Sequence, residues 1–217
     1  MRTLLTAATL AAAVALGIGS AHAQTQLVRA KKILIKTPAS GTANNKLVFL
    51  AKDAIVLPGG AVEDPRCGPD GSGQASLTVA SDTTANSFTI DLGGATNCLN
   101  WSLNGAGTVY KYKDTTGATC KIVLIKDGVL TKAVCKGAQV AFTLGADQGG
   151  MNIVLRTGTS PRRYCTALKG KLDPDVPCDI KKNGSDGKTY LAKNCSNAPA
   201  SCPLSPSGAF VDAASTF

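Results

Sequence analysis

Apolar and polar residues alternate in segment after segment of this chain: Leu77 and Val79; Phe88, Ile90 and Leu92; Val140, Phe142 and Leu144; Met151, Ile153 and Leu155. Successive side chains of a strand point to opposite faces, so a period of two marks a half-buried strand. Ile33-Leu34-Ile35 and Leu47-Val48-Phe49-Leu50 are instead unbroken apolar runs, which predict strands covered on both faces. Turn formers punctuate the segments at Pro58-Gly59-Gly60, Pro69-Asp70-Gly71, Gly93-Gly94 and Asn183-Gly184. No window repeats at the helical period. The pattern predicts an all-β fold, a disulfide-stapled antiparallel β-sandwich or flattened barrel of about ten to twelve short strands.

The sharpest local expectation is a hairpin between Cys120 and Cys135. Lys121 to Ile125 and Val129 to Val134 flank Asp127-Gly128, a dipeptide suited to the left-handed conformations of a two-residue turn. That turn sets Cys120 opposite Cys135, with α-carbons about 5.5 Å apart, as for a hydrogen-bonded pair. Cys120, Ile122 and Leu124 then share the core face with Cys135, Ala133 and Thr131, while Lys121, Val123 and Ile125 face outward. A three-residue Lys126-Asp127-Gly128 loop with a bulge shifts the register by one.

The N-terminus changes the picture from a fold to a compartment. Arg2, the apolar stretch from Leu4 to Gly19 and the small-x-small Ala21-His22-Ala23 read as a secretory leader over residues 1–23. The stretch is short for a membrane span and lacks a basic stop-transfer cluster, so the mature chain is not expected to span a membrane through it. A single β domain over residues 24–205 and a C-terminal tail over 206–217 follow. Eight cysteines, all after the leader and even in number, predict four disulfides in a secreted or periplasmic protein. No Cys-x-x-Cys pair suggests a metal instead.

Charge and missing residue types narrow the chemistry. Loss of Arg2 takes the formal net charge from +9 to +8, a field that favours anionic polysaccharide or the cell-envelope surface as partner. His22, the only histidine, lies in the leader, which excludes Ser-His-Asp and Cys-His catalysis and His-ligated metals from the mature chain. Glu63 stands alone against thirteen aspartates, and aspartate favours turns and caps over helices. Trp101 is the only tryptophan, so nucleic acid, which stacks on exposed aromatics, is the weaker candidate partner. Phe217 ends the chain as in outer-membrane barrels, but Ala213 and Ser215 do not continue an apolar band.

Several residue groups are candidates for function. Tyr110-Lys111-Tyr112-Lys113 places the tyrosines on one strand face and Lys111 and Lys113 on the other, as core and solvated face or as a basic strip for an anionic polymer. Ser160-Pro161-Arg162-Arg163-Tyr164-Cys165 sets two arginines beside a cysteine, so Arg162 and Arg163 join the candidate basic surface, and a stapled loop there would suit a protease inhibitor. Asp173, Asp175, Asp179 and Asp186 cap turns or, less simply, hold Ca²⁺, although prolines break any recognisable calcium loop. Glu63 and Asp64 are the only adjacent carboxylates and point apart on an extended chain. A histidine-free lyase on an acidic polysaccharide would use Tyr110 or Tyr112 as base. No residue set converges on catalysis, and none calls for a metal or cofactor. The reading is a non-catalytic binding or structural module of the cell envelope, with the lyase as alternative.

The succession Trp101, Tyr110-Lys111-Tyr112-Lys113-Asp114, Cys120-Lys121-Ile122-Val123-Leu124, Cys135-Lys136-Gly137, Arg163-Tyr164-Cys165 and Ser201-Cys202-Pro203 resembles an uncharacterised family of exported bacterial β-modules, over roughly Lys31 to Pro203. The resemblance implies a β fold without an assigned activity and a Cys165–Cys202 bridge. The segments holding Cys67 with Cys98, and Cys178 with Cys195, look like additions to that pattern, each with its own bridge.

Overall fold

The computed structural model of the chain describes residues 24–202; the expected leader and C-terminal tail lie outside them. Thirteen strands in two sheets form among these residues. One sheet has five strands, β1 (Thr25–Leu27), β4 (Ala75–Ser81), β5 (Ser87–Asp91), β10 (Met151–Thr157) and β11 (Arg162–Leu168), in the order β1-β11-β10-β4-β5. The other has eight, β2 (Ala30–Lys36), β3 (Lys46–Lys52), β6 (Trp101–Leu103), β7 (Val109–Tyr112), β8 (Cys120–Lys126), β9 (Leu130–Lys136), β12 (Asp179–Asn183) and β13 (Thr189–Lys193), in the order β12-β13-β2-β3-β9-β8-β7-β6. Neither order closes on itself, so the architecture is a sandwich and not a flattened barrel. The strand pairs are antiparallel except β1 with β11. The helices α1 (Gly60–Glu63) and α2 (Gly94–Asn97) are one turn each.

Alternation turns one face of each sheet into a shared core. Ile33, Ile35, Leu47, Phe49, Val123 and Ile125 enter it from the larger sheet, and Leu77, Val79, Ile90, Ile153 and Leu155 from the smaller. Each such side chain contributes roughly 1.5–3 kcal/mol by leaving water. The unbroken apolar runs are not covered twice: Leu34, Val48 and Leu50 face outward, half-buried. Val140, Phe142 and Leu144 are buried as their alternation requires, yet they form no strand. Side chains occupy the acceptors that a ladder would use there, since Asn45 Nδ2 donates to the Val140 carbonyl at 2.8 Å and Asn86 Nδ2 donates to that of Thr143.

The hairpin differs from the two-residue expectation. Lys126 pairs with Leu130, so the loop is Asp127-Gly128-Val129, and the pairing then slips at Lys121 so that Cys120 still faces Cys135. Gly128 takes φ 62°, whereas Asn194 is the only non-glycine residue with positive φ among those described. Two other loops anchor the turn: the Asp127 amide donates to Thr108 O at 3.0 Å and the Gly128 amide to Ile55 O at 2.8 Å. The bulge inverts the faces of β8 beyond Cys120. Val123 and Ile125 are buried and Ile122 and Leu124 turn outward, while Thr131, Ala133 and Cys135 of β9 face the core as expected.

Four disulfides staple this frame: Cys67–Cys98, Cys120–Cys135, Cys165–Cys202 and Cys178–Cys195. The α-carbons of Cys120 and Cys135 are 3.9 Å apart, closer than the hydrogen-bonded pair expected from a regular register.

Candidate cationic binding face

Strand lysines are segregated between the sheets. The strands of the eight-stranded sheet hold thirteen of the chain's seventeen lysines, and those of the five-stranded sheet hold none. Asp179 is the only acidic residue in the eight strands, and it sits at the edge, 2.8 Å from Lys181. Because inward positions are apolar, alternation sends the lysines outward. Strand pairing gathers them into rows that cross the sheet.

One row aligns Lys36, Lys46 and Lys136 on the adjacent strands β2, β3 and β9, all exposed. The next aligns Leu191, Leu34, Val48, Val134 and Ile122, all half-buried, on β13, β2, β3, β9 and β8. A third runs Lys193, Lys32, Leu50, Lys132, Leu124 and Lys111, ending on β7. The face is therefore an apolar strip bordered on both sides by ammonium groups. Lysine stems lie over apolar surface while their heads stay in water, so the strip is partly covered by its own borders. An ordinary solvated face mixes both signs of charge. Here Lys46 stands directly opposite Lys36 and Lys136, and Lys193 opposite Lys32, and like charges so placed destabilise a sheet. Among the described residues none of Lys32, Lys36, Lys46, Lys132 and Lys136 has a carboxylate within ion-pair distance.

The residues singled out from sequence divide between this face and the interior. Lys111 lies in the third row, with Lys113 exposed just beyond the end of β7. Arg162 is withdrawn from the candidate surface: it is 7% exposed in β11, its Nε donating at 2.9 Å to Glu63 Oε2 and its Nη2 donating to Gln24 Oε1. Arg163 is half-buried in the same strand, paired with Arg156 of β10 and Thr25 of β1. Ser160 and Pro161 lie in a turn and the two arginines open strand β11, so neither arginine sits at a loop tip. The sequence motifs do not single out Lys32, Lys36, Lys46, Lys132, Lys136 and Lys193, whose shared signal is lysine recurring at outward positions of strands such as Ala30–Lys36 and Lys46–Lys52.

Tyr110 and Tyr112 face inward, on the side opposite Lys111. Burial, then the neighbouring Asp64 carboxylate, push the Tyr110 pKa up to about 12, and its hydroxyl donates to Asp64 at 3.0 Å. Burial also raises Tyr112, whose hydroxyl is hydrogen-bonded to that of Thr119. Raised phenols pointing away from the lysines are poorly placed as bases for a polymer on that face. Asp64 itself is disfavoured as an anion by burial, but hydrogen bonds from Arg66 more than offset this and hold its pKa below the ordinary value. Arg66 Nη2 lies 2.6 Å from Asp64, and the guanidinium sits 5.8 Å from the Tyr110 ring centroid. Glu63 and Asp64 thus engage separate partners.

Of the four aspartates considered for Ca²⁺, Asp173 and Asp186 cap turns, whereas Asp179 lies in β12 and pairs with Lys181 at 2.8 Å. Asp173 accepts from the amides of Asp175 and Val176 at 3.0 and 2.8 Å, with Lys169 at 3.6 Å, and Asp186 accepts from those of Lys188 and Thr189 at 2.8 Å each. An open hollow of about 560 Å³ beside β12 is lined by Asp147, Lys182, Asn183 and Asp186, but Asp147 is held there by Asn183 at 2.9 Å and by the Gly149 amide at 2.8 Å. Among the described residues no helix is long and apolar enough to cross a membrane. Comparison with protein-family models, with curated proteins and with solved structures finds no match.

Proposed function

We propose that this protein is a non-catalytic binding module of the cell envelope, secreted or periplasmic, that holds anionic polymers on the outer face of its eight-stranded sheet. The observation that carries the reading is the Lys36-Lys46-Lys136 row with its counterpart Lys193-Lys32, in which like charges face each other across strands. Such a face opposes the protein's own stability and complements a negative partner. Four disulfides fit an oxidising compartment, where envelope polymers are found. A column carrying an acidic polysaccharide tests it. The native protein should be retained at low salt and released as salt rises through roughly 0.15 M, where charges are screened beyond about 8 Å. The triple variant Lys36→Gln, Lys46→Gln, Lys136→Gln should pass through earlier with its disulfides and far-ultraviolet dichroism intact. Passage of the native protein without retention, or equal retention of the variant, refutes the proposal.

A further inference from the structure

The order of the rows restricts the polymer. The apolar strip from Leu191 to Ile122 crosses five strands, which at about 4.8 Å per strand makes it roughly 19 Å long. Each lysine border lies two residues away along the strands, about 6.7 Å. In the third row Lys193 and Lys32 stand on adjacent strands, and from Lys32 onward lysines recur on every second strand at Lys132 and Lys111, with Leu50 and Leu124 between them, an interval of about 9.6 Å. On the opposite border Lys36, Lys46 and Lys136 stand on three successive strands, about 4.8 Å apart, so Lys46 lies level with the gap between Lys32 and Lys132.

A polyanion carrying all its charge along one edge would use one border and leave the other repelling itself. An acyl chain would bring one anionic head to one end of the strip and leave most of both borders unpaired. A flat polyuronate ribbon fits differently. When sugars are joined diequatorially, each is turned over relative to the last, so the carboxylates alternate between the two edges and recur on each edge at the length of a disaccharide. That length is close to two strand spacings. The ring C–H faces then lie over the aliphatic strip and the lysine stems that border it, with the ammonium heads held in water at its edges.

We infer that the ligand is a ribbon-forming acidic polysaccharide running across the strands, its rings on the Leu191-Leu34-Val48-Val134-Ile122 strip and its carboxylates reaching the lysines on both sides. The inference rests on the proposed polyanion-binding function and names the polymer geometry. It requires about four sugar residues to fill the strip, at one sugar per strand spacing.

Titration calorimetry with length-fractionated poly-β-mannuronate, which is a diequatorial ribbon, and poly-α-guluronate, which has the same charge per sugar but a buckled diaxial chain, tests it, with phosphatidylglycerol vesicles as a third arm. Mannuronate affinity should rise with length until about four sugars and exceed that of guluronate of equal length. Lys132→Gln should weaken mannuronate binding about two- to fivefold and lower its salt dependence. Val48→Gln, an outward and half-buried position, should weaken it by a similar factor and leave the salt dependence unchanged. Equal or tighter binding of guluronate, or preference for the vesicles, overturns the ribbon inference while leaving polyanion binding in place. Absence of salt-sensitive binding in all three arms overturns both.

Discussion

Lys46→Glu should make this protein more stable and a poorer binder at the same time. Lys46 is exposed on β3 with Lys36 directly across on one side and Lys136 on the other, so one substitution turns two repulsions into two attractions. Cross-strand charge pairs are worth roughly 0.2–1 kcal/mol each, and solvent screening keeps exposed pairs near the low end. The expected gain is about 0.5–1 kcal/mol, which for a domain of this size is a rise in Tm of about 1–4 °C. Lys46→Gln, which only removes repulsion, should gain about half as much. Differential scanning calorimetry of the disulfide-intact protein at low and at roughly 1 M salt measures both, and the gain should fade at the higher salt, where the Debye length is about 3 Å. Retention on an acidic polysaccharide is read on the same samples. A drop in Tm, a gain that ignores salt, or unchanged retention would each refute the view that repulsion on this face is kept for a partner.

Further expectations concern the interior and the turns. Glu63→Gln leaves the Arg162 guanidinium buried without its anion and should cost about 3–5 kcal/mol in urea unfolding, whereas replacing both residues by Met should cost much less; a single-variant cost below about 1 kcal/mol contradicts the pairing. Gly128→Val meets no atom within 4 Å but inherits φ 62°, so its cost should be the backbone strain alone, about 1–3 kcal/mol. The comparator Gly105→Ala, also in open space, should be near neutral by the same measurement. Burial alone would raise the Asp114 pKa, but hydrogen bonds from Thr116 and Thr119 bring it down to about 2 from 3.8. The carboxylate therefore contributes stability that is present above the ordinary value and lost as pH falls from about 4 through 2, and Asp114→Asn should flatten that limb of an acid titration of Tm.

Period-two alternation made the strands and their buried members legible in sequence, and the cysteine count made the staples so. What alternation reports is which side chains leave water, however, and it is silent on whether a backbone pairs. Val140, Phe142 and Leu144 are buried as expected, yet Asn45 and Asn86 take up carbonyls of that segment. The same limit acts at Lys121, where one extra residue keeps Cys120 opposite Cys135 and inverts every face after it. A correct bridge therefore did not guarantee a correct core face on β8. The cationic face was still harder to read, because Lys36, Lys46 and Lys136 are distant in sequence and meet only through the β2-β3-β9 strand order. Non-local pairing of that kind leaves no local signature, whereas Arg162-Arg163, adjacent and conspicuous, turns out to be split between a buried ion pair and a strand position in the other sheet.

The staples and the charge are connected through geometry. Cys135 precedes Lys136 on β9 and pairs across β3 with Leu47, the neighbour of Lys46. The Cys120–Cys135 bridge thus lies inside the sheet, immediately behind the row where repulsion is densest. Closing a loop of 15 residues stabilises by about 3 kcal/mol on the chain-entropy account, more than the roughly 0.4–2 kcal/mol by which two like-charge pairs oppose the sheet. A face of this charge density can then remain ordered without a ligand, and an ordered array of fixed charges binds a polymer at lower entropic cost than a mobile one. Reduction of Cys120–Cys135 would remove that support from behind the basic row.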